Sequence, residues 1–280
     1  MRLGAHLFAE TQDPVELAKI HRSMGYRAAF CPNYLNIGDH DRIRAFRKAF
    51  AEEEVVFAEV GAWSNPLDPR HDVADKSIGY IMEKLALADE LGALCCVNII
   101  GSYETEFWYA PHEKNFSEEA FEASVAIVRK IVDTVKPKHT KYTLEMMPYT
   151  FLDNAENYLK FIKAVDRREV AVHLDPVNLI NSPRTYFNHA KIIEESFKLL
   201  GPYIVSCHAK DIKIRPDLPN THLDEVRPGL GIFDYRLFLK YAASLPKDVP
   251  IMLEHLPNQE EYSHAADHIF KIAKELNLFI

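Results

Sequence analysis

One pattern repeats along the whole sequence: a short apolar or alternating segment of strand length precedes a longer segment with helical spacing. Phe121, Val125, Val128, Val132 and Val135, for example, step by four and three residues and line one face of a predicted helix. The pattern predicts eight strands, at residues 2–8, 26–31, 55–60, 94–100, 140–146, 170–174, 203–208 and 250–254.

Strands that alternate with helices form a parallel sheet, which is either open and doubly wound or closed into a barrel. A count of eight favours the barrel. An open sheet that binds a dinucleotide needs a glycine-rich first turn, but residues 8–13 (FAETQD) contain no glycine. With no linker-like segment in the chain, we predict an α/β fold, a (β/α)₈ TIM barrel, as one domain over residues 1–280.

Two helix starts carry capping signals. Asp13, followed by Pro14 and by Glu16, predicts one N-terminus, and Asp153, followed by Glu156, predicts another. In both places an acidic side chain precedes the helix and a glutamate stands three residues later, so the spacing is typical of a capping box.

Composition narrows the function classes. The net charge of −8 opposes nucleic-acid binding, and no apolar segment has the length of a membrane span. The four cysteines form no CxxC pair and lie in apolar segments, which indicates reduced, buried thiols. We therefore expect a cytoplasmic protein with a small-molecule substrate and with no nucleic-acid or membrane partner. Self-association into a homo-oligomer is left open.

Polar residues end the last four predicted strands, on the side of a barrel where functional groups lie. These residues are Glu145, Asp175, His208 and Glu254. Three crowded carboxylates repel one another unless a cation neutralises them, so the set predicts one divalent metal. Oxygen ligands with one imidazole suit Mn²⁺ best among the alternatives, with Mg²⁺, Co²⁺ and Zn²⁺ left open. Taken singly, an acid at a strand end is often only a helix N-cap.

The segments LE (144–145), HLD (173–175), CHAKD (207–211) and LE (253–254) resemble the strand-end motifs of the xylose isomerase-like barrel superfamily, in particular its ketose 3-epimerases. The resemblance follows strand order over nearly the whole chain. It implies one metal held by the four strand-end residues. It also implies that Glu145 and Glu254 are the catalytic acid–base pair.

The same resemblance implies a substrate-binding arginine at Arg227, although a surface ion pair explains a loop arginine equally well. The ketose 3-epimerases carry a glutamate and a histidine where this chain has Phe151 and Asn178, so the substrate clamp is altered. We expect Asn178 to contact substrate, together with His6 and Trp108.

Further polar and aromatic residues follow the other strands. His6 and Glu59 end the first and third strands, where a rim position is common. Trp63, Phe107, Trp108 and Tyr109 lie in loops, where they either stack on a sugar or pack on the barrel. His255 follows Glu254 directly and is expected to point to the opposite face of the strand.

Two carboxylates beside a metal suit proton abstraction next to a carbonyl. The sequence therefore predicts a metal-dependent sugar epimerase or isomerase that acts on a ketose or keto-sugar. The alternative is a lyase of the same superfamily, an inosose dehydratase or a 3-keto-glycoside eliminating enzyme. An AP endonuclease type needs histidine and aspartate ligands that are mostly missing here. A non-catalytic sugar-binding subunit is the remaining alternative.

Overall fold

The computed structural model describes all 280 residues, and eight parallel strands close into a barrel. The chain has ten strands in all. In chain order they are β1 (Arg2–Gly4), β2 (Ala28–Phe30), β3 (Val56–Gly61), β4 (Cys95–Asn98), β5 (Lys141–Glu145), β6 (Val170–Leu174), β7 (Ile204–Ala209), β8 (Asp211–Ile214), β9 (Leu223–Val226) and β10 (Pro250–Leu253). Of these, β8 and β9 lie outside the barrel. β1 pairs with both β2 and β10 and so closes the ring. The predicted (β/α)₈ barrel is confirmed.

Helices surround the barrel. They are α1 (Pro14–Ser23), α2 (His40–Glu52), α3 (His71–Leu91), α4 (Glu118–Val135), α5 (Ala155–Val165), α6 (Pro183–Phe187), α7 (His189–Leu200), α8 (Tyr235–Ser244) and α9 (Gln259–Glu275). The predicted apolar face of α4 is confirmed, because Phe121, Val128 and Val132 are buried against the barrel. Burial of one apolar stripe per helix is what holds the outer layer on the sheet.

The two predicted helix starts differ in outcome. Asp13 caps α1 as predicted, and its carboxylate accepts hydrogen bonds from the Val15 and Glu16 amides. The cap of α5 is Asn154 rather than Asp153, since the Asn154 side chain accepts from the Asn157 amide. The prediction for Asp153 was wrong by one residue because asparagine caps a helix as well as aspartate does.

The first strand is shorter than predicted, and one hairpin was not predicted at all. β1 ends at Gly4, where a Cβ would lie 2.5 Å from the Ala28 carbonyl oxygen and 2.5 Å from the Met252 sulfur. The backbone of β1 therefore approaches its neighbours at a distance that only glycine permits. After β7, β8 and β9 form an antiparallel hairpin outside the barrel, and half of the residues in these two strands are polar.

One hydrophobic cluster of 68 buried residues joins the helices to the barrel. Cys95, Cys96 and Cys207 are buried and Cys31 is half-buried, and all four are free thiols, as predicted. None of the helices combines the length and apolarity needed to cross a bilayer.

Candidate metal centre and active site

Four neighbouring barrel strands bring the four predicted ligands together. Glu145 is the last residue of β5, Asp175 follows β6, His208 lies in β7 and Glu254 follows β10. One ligand atom from each lies within 4.8 Å of the others, and all four side chains are buried. Because these strands are parallel neighbours, their carboxyl ends open at the same mouth of the barrel.

Asp175 uses its two oxygens differently. Oδ1 accepts hydrogen bonds from the backbone amides of Val177, at 3.0 Å, and Asn178, at 3.4 Å, so it caps the short turn after β6. Oδ2 is buried and faces the cluster, where the Lys210 ammonium lies 3.0 Å away. The helix-capping explanation and the metal-ligand explanation therefore each account for one oxygen of this side chain.

The His208 ring bridges two groups of carboxylates. Nδ1 lies 3.2 Å from Glu145 Oε1 and 3.0 Å from Glu254 Oε1. Nε2 lies 3.2 Å from Oε1 of Glu59, which is 2% exposed. A carboxylate on the far nitrogen fixes the orientation of an imidazole whose near nitrogen is a ligand.

His173 completes the layer beneath the cluster. Its ring packs edge-on against His208, with centroids 4.0 Å apart, and its Nδ1 lies 3.6 Å from Glu59 Oε2. Burial, followed by the neighbouring His208, lowers the pKa of His173 to about 4. His173 is therefore neutral near pH 7 and supports the layer without adding charge.

Lys210 reaches into the same cluster from the end of β7. Its Nζ lies 2.6 Å from Glu254 Oε1, 3.0 Å from Asp175 Oδ2 and 3.5 Å from Glu145 Oε1. Asn178 holds this arrangement, because its side-chain amide donates to Glu145 at 2.9 Å and its oxygen accepts from Lys210 at 3.3 Å. A fixed cation thus balances part of the negative charge.

The pKa values of the carboxyl groups diverge. Burial, reinforced by Glu145 and Glu254, raises the pKa of Asp175 to about 6. Burial alone would also raise the pKa of the two glutamates, but Lys210 and His208 outweigh it. They hold the pKa of Glu145 well below its usual range and lower that of Glu254 to about 2. The two glutamates are therefore anionic near pH 7.

The imidazole of His208 shows the opposite effect. Its burial favours the neutral ring, but Glu254, Glu59 and Glu145 together raise its pKa well above the usual value. Without a metal, a proton on His208 and the ammonium of Lys210 offset part of the negative charge of the carboxylates. Binding of a cation through His208 would release that proton.

The residues fit one divalent cation. The four ligand atoms converge, and the Lys210 ammonium lies 3.0 Å from Asp175 Oδ2 and 2.6 Å from Glu254 Oε1, both of which are buried. One ammonium offsets only part of the charge of three buried carboxylates, and a divalent cation among the four ligand atoms would offset more of it. Three carboxylates and one imidazole form a donor set suited to Mg²⁺, Mn²⁺ or a similar ion.

Above the cluster lies a cleft of about 880 Å³. Glu145 and Glu254 line it, as do Lys210 and Asn178, whereas the side chains of Asp175 and His208 lie beneath and are 0% exposed. Only the two glutamates of the four can therefore touch both a metal in the cluster and a molecule in the cleft.

The residues predicted to contact substrate divide into two groups. His6, Asn178 and Trp108 line the cleft, and His6 stacks on Phe30 with ring centroids 3.9 Å apart. Arg227 is not among the lining residues, and its Nε pairs with Glu261 at 2.9 Å. The structure thus places Arg227 in an ion pair outside the cleft.

His255 was expected on the opposite face of its strand, and that expectation was wrong. β10 ends at Leu253, and His255 has a left-handed backbone with φ of 58°, which turns its ring toward the cleft. Its Nδ1 lies 2.9 Å from Glu225 Oε1 in β9. The alternation of faces applies only while the strand continues.

The family pattern of the xylose isomerase-like TIM barrel matches residues 18–272. The chain belongs to this family. A search of the curated proteins finds no match to the sequence.

Solved barrels of similar fold come from several organisms. D-psicose 3-epimerase from Clostridium cellulolyticum H10, crystallised with D-tagatose, is 14% identical over all of both chains, with a TM-score of 0.71. The probable 3-DHS dehydratase AsbF from Bacillus anthracis is 14% identical, with 98% and 99% of the chains covered and a TM-score of 0.70. A Mycobacterium smegmatis barrel protein in complex with magnesium is 17% identical, with 94% and 87% covered and a TM-score of 0.66.

Three further residues of the barrel belong to the site although the sequence did not assign them to it: Glu59, His173 and Lys210. Their spacing contained a signal, because His173 and Lys210 each stand two positions from a predicted ligand and therefore share its face of the strand. Glu59 was predicted to end the third strand, but its contact with His208 crosses the inside of the barrel and was not predicted.

Proposed function

We propose that the protein is a divalent-metal-dependent enzyme that removes a proton next to the carbonyl of a ketose or keto-sugar, with Glu145 and Glu254 as the acid–base pair. One observation carries this: of the four clustered ligands, these two alone line the cleft. Asp175 and His208, buried beneath them, suit a purely ligating role. The fold is that of barrels named as sugar epimerases, which supports the sugar substrate class.

The two glutamates enter the cleft from different strands. Glu145 comes from β5 and Glu254 from the end of β10, and both are anionic near pH 7 because Lys210 and His208 lower their pKa values. An anionic carboxylate can accept a proton from carbon, and the other, once it has taken a proton from solvent, can donate that proton to the opposite face. A bound divalent cation would supply Lewis-acid stabilisation of the negative charge that develops on the substrate.

Lys210 and Asn178 hold the first glutamate in place. The Asn178 amide donates to Glu145 and to the Met146 carbonyl oxygen at 3.1 Å, which restrains the carboxylate between strand and turn. Both residues line the cleft, so an ammonium and an amide are also available to substrate oxygens. Positioning of the base before substrate arrives lowers the entropic part of the barrier.

The direct test combines metal analysis with a substrate panel. Protein supplied with Mn²⁺ is incubated in ²H₂O with ketoses, inososes and 3-keto-glycosides, and deuterium at the carbon next to the carbonyl is measured by mass spectrometry. We expect incorporation with at least one class, and its loss together with bound metal in Asp175→Ala. Glu260→Ala, whose side chain is 81% exposed, is the control and should keep both.

The product identifies the second half of the reaction. An epimer indicates return of the proton by the opposite glutamate. A dehydrated or cleaved product indicates elimination, the chemistry of the dehydratase-type barrel. If no class of compound exchanges a proton in the metal-loaded protein, the proposed function is wrong.

A further inference from the structure

Aromatic side chains line one sector of the cleft. Trp63 follows β3, Trp108 and Tyr109 follow β4, and Tyr149 follows β5, and all four line the cleft. Trp63, Tyr109 and Tyr149 are 41%, 49% and 40% exposed. We call these four residues the aromatic wall. Its members come from three neighbouring barrel strands, so they lie side by side along the mouth.

Buried asparagines tie the loops of the aromatic wall together. Asn98 bonds through both side-chain atoms to the backbone of Ser64, each at 3.1 Å. Asn65 does the same for Ser102, at 2.8 and 2.9 Å. These bonds fix the loop after β3 against β4 and against the loop after β4.

Asn115, which is 1% exposed, links the loop after β4 to the loop after β5. Its amide nitrogen donates to the Tyr149 carbonyl oxygen at 3.1 Å and to Ser102 Oγ at 3.0 Å. Its oxygen accepts from the Tyr103 amide at 3.0 Å. Buried and satisfied polar networks rigidify the segments they join, so the aromatic wall is held in place before any ligand binds.

The Trp63 indole packs against Gly61. A Cβ on Gly61 would lie 2.5 Å from the indole Nε1, so the ring packs directly on the glycine backbone. The packed side is covered by protein, and the exposed fraction faces the cleft. Exposed apolar side chains that lie together in a cleft are typical of a ligand-binding groove.

The cleft is also larger than one sugar ring requires. Its volume of about 880 Å³ is near the top of the roughly 300–1,000 Å³ that accommodates drug-sized ligands. A monosaccharide bound at Glu145 and Glu254 would leave the remaining space to water. Glu145, Glu254 and Lys210 line the cleft at the metal-ligand cluster, Asn33 and Lys84 also line it, and the aromatic wall supplies apolar ring faces.

We propose that the aromatic wall is a second ring-binding subsite and that the substrate is a two-ring compound. Its keto-sugar ring reacts at Glu145 and Glu254, and its aglycone ring stacks on Trp63 and Trp108. This identification of the substrate class rests on the proposed function. The shared chemistry of the aglycone is a ring with an apolar face, supplied either by a second sugar or by an aryl group.

The chain offers a direct probe, because it has two tryptophans and both lie in the aromatic wall. The protein is titrated with three β-glucosides while its intrinsic tryptophan fluorescence is recorded. The three share one glucose ring and carry a methyl group, a second glucose or a phenyl group as the aglycone. We expect the glucosyl or the phenyl compound to bind about tenfold more tightly than the methyl compound. Comparison of the two identifies the aglycone type.

Variants locate the effect. Trp63→Phe and Trp108→Phe each leave one reporter, and Trp108→Ala followed through Trp63 should remove the tenfold preference. Gly61→Ala leaves both indoles present but displaces Trp63, and should weaken the two-ring compounds only. Phe107→Ala is the control, because Phe107 is 60% exposed in the same loop and does not line the cleft.

The outcomes separate the two proposals. Equal affinity for all three glucosides, or no fluorescence change with any of them, would overturn the second subsite whatever the enzyme assay gives. A clear aglycone preference without deuterium exchange from any keto-sugar would retain the subsite and refute the proposed reaction. Keto-glycosides with ring aglycones should also exceed the methyl keto-glycoside in kcat/KM by about tenfold.

Discussion

His208 and Asp175 each present one atom to the metal-ligand cluster and use another atom to hold themselves in place. His208 directs Nε2 to Glu59, and Asp175 directs Oδ1 to two backbone amides. This division leaves one imidazole nitrogen and one carboxylate oxygen facing Glu145 and Glu254. Ligands fixed by such outer contacts lose little conformational entropy on binding a cation.

Replacement of each glutamate by glutamine tests the acid–base pair. Glu145→Gln and Glu254→Gln keep the size and one oxygen but remove the base, so each should lower turnover by about 10² to 10⁴. The two variants should differ in exchange with ²H₂O. A variant that keeps the productive base exchanges the proton of one epimer, and the other variant exchanges only the opposite epimer.

Glu106→Gln is the matched control, because Glu106 is an exposed glutamate in the loop after β4. It should keep turnover and exchange from both epimers. Equal exchange from both epimers in both active-site variants would contradict the assignment of one glutamate to each face. An elimination product in the wild-type protein would instead assign the enzyme to the lyases.

The sequence indicated the ligands better than their supports. Glu145, Asp175, His208 and Glu254 end apolar strands, and a strand end is visible in a linear pattern. Glu59 also lies at the end of a predicted strand, but its contact with His208 depends on which residues face each other across the closed barrel. The contact of Arg227 with Glu261 depends on the path of a loop, which local spacing does not determine.

At the scale of elements, the sequence predicted the barrel strands better than the loops above them. Buried parallel strands have continuous apolar segments, and all eight were predicted near their observed positions. The loop after the β8–β9 hairpin is held by Asp211 instead, whose carboxylate accepts from the amides of Gly229, Gly231 and Phe233. One buried carboxylate thus orders a loop whose composition is that of a turn.

Helix α1 contains a group that links stability to pH. His21 is buried, and its Nδ1 lies 2.9 Å from the Leu17 carbonyl oxygen. Burial lowers its pKa to about 4 from the usual 6.5, so the unfolded chain binds the proton more tightly. The stability that the neutral ring contributes is therefore fully present above pH 6.5, and it is lost as the pH falls toward 4.

We expect His21 to lower the free energy of unfolding by about 2 kcal/mol when the pH falls from 7 to 5. In His21→Leu that part of the pH dependence should disappear, as measured by urea unfolding at both pH values. His264→Leu is the control, because its imidazole is 50% exposed in α9. An unchanged pH dependence in His21→Leu would show that this ring is already neutral in the unfolded chain or protonated in the folded one.

At the scale of the whole molecule, the metal-ligand cluster joins strands that are distant in the chain. Its ligands span residues 145 to 254 and come together only when β5, β6, β7 and β10 are neighbours in the barrel. The unfolded chain has no such arrangement of oxygen and nitrogen ligands. A cation that binds the cluster therefore binds the folded protein almost exclusively, and its binding free energy adds to the stability of the fold.

Removal of metal should accordingly lower the melting temperature. At a free metal concentration one hundred times the dissociation constant, the stabilisation is about 2.7 kcal/mol, which corresponds to roughly 5 °C for a chain of this size. Scanning calorimetry of chelator-treated protein, with and without added Mn²⁺ or Mg²⁺, measures the shift. Asp175→Ala should lose it and Glu260→Ala should keep it. Identical melting curves for stripped and metal-supplied wild-type protein would contradict a cation held by these four residues, because a ligand specific to the folded state must raise its stability.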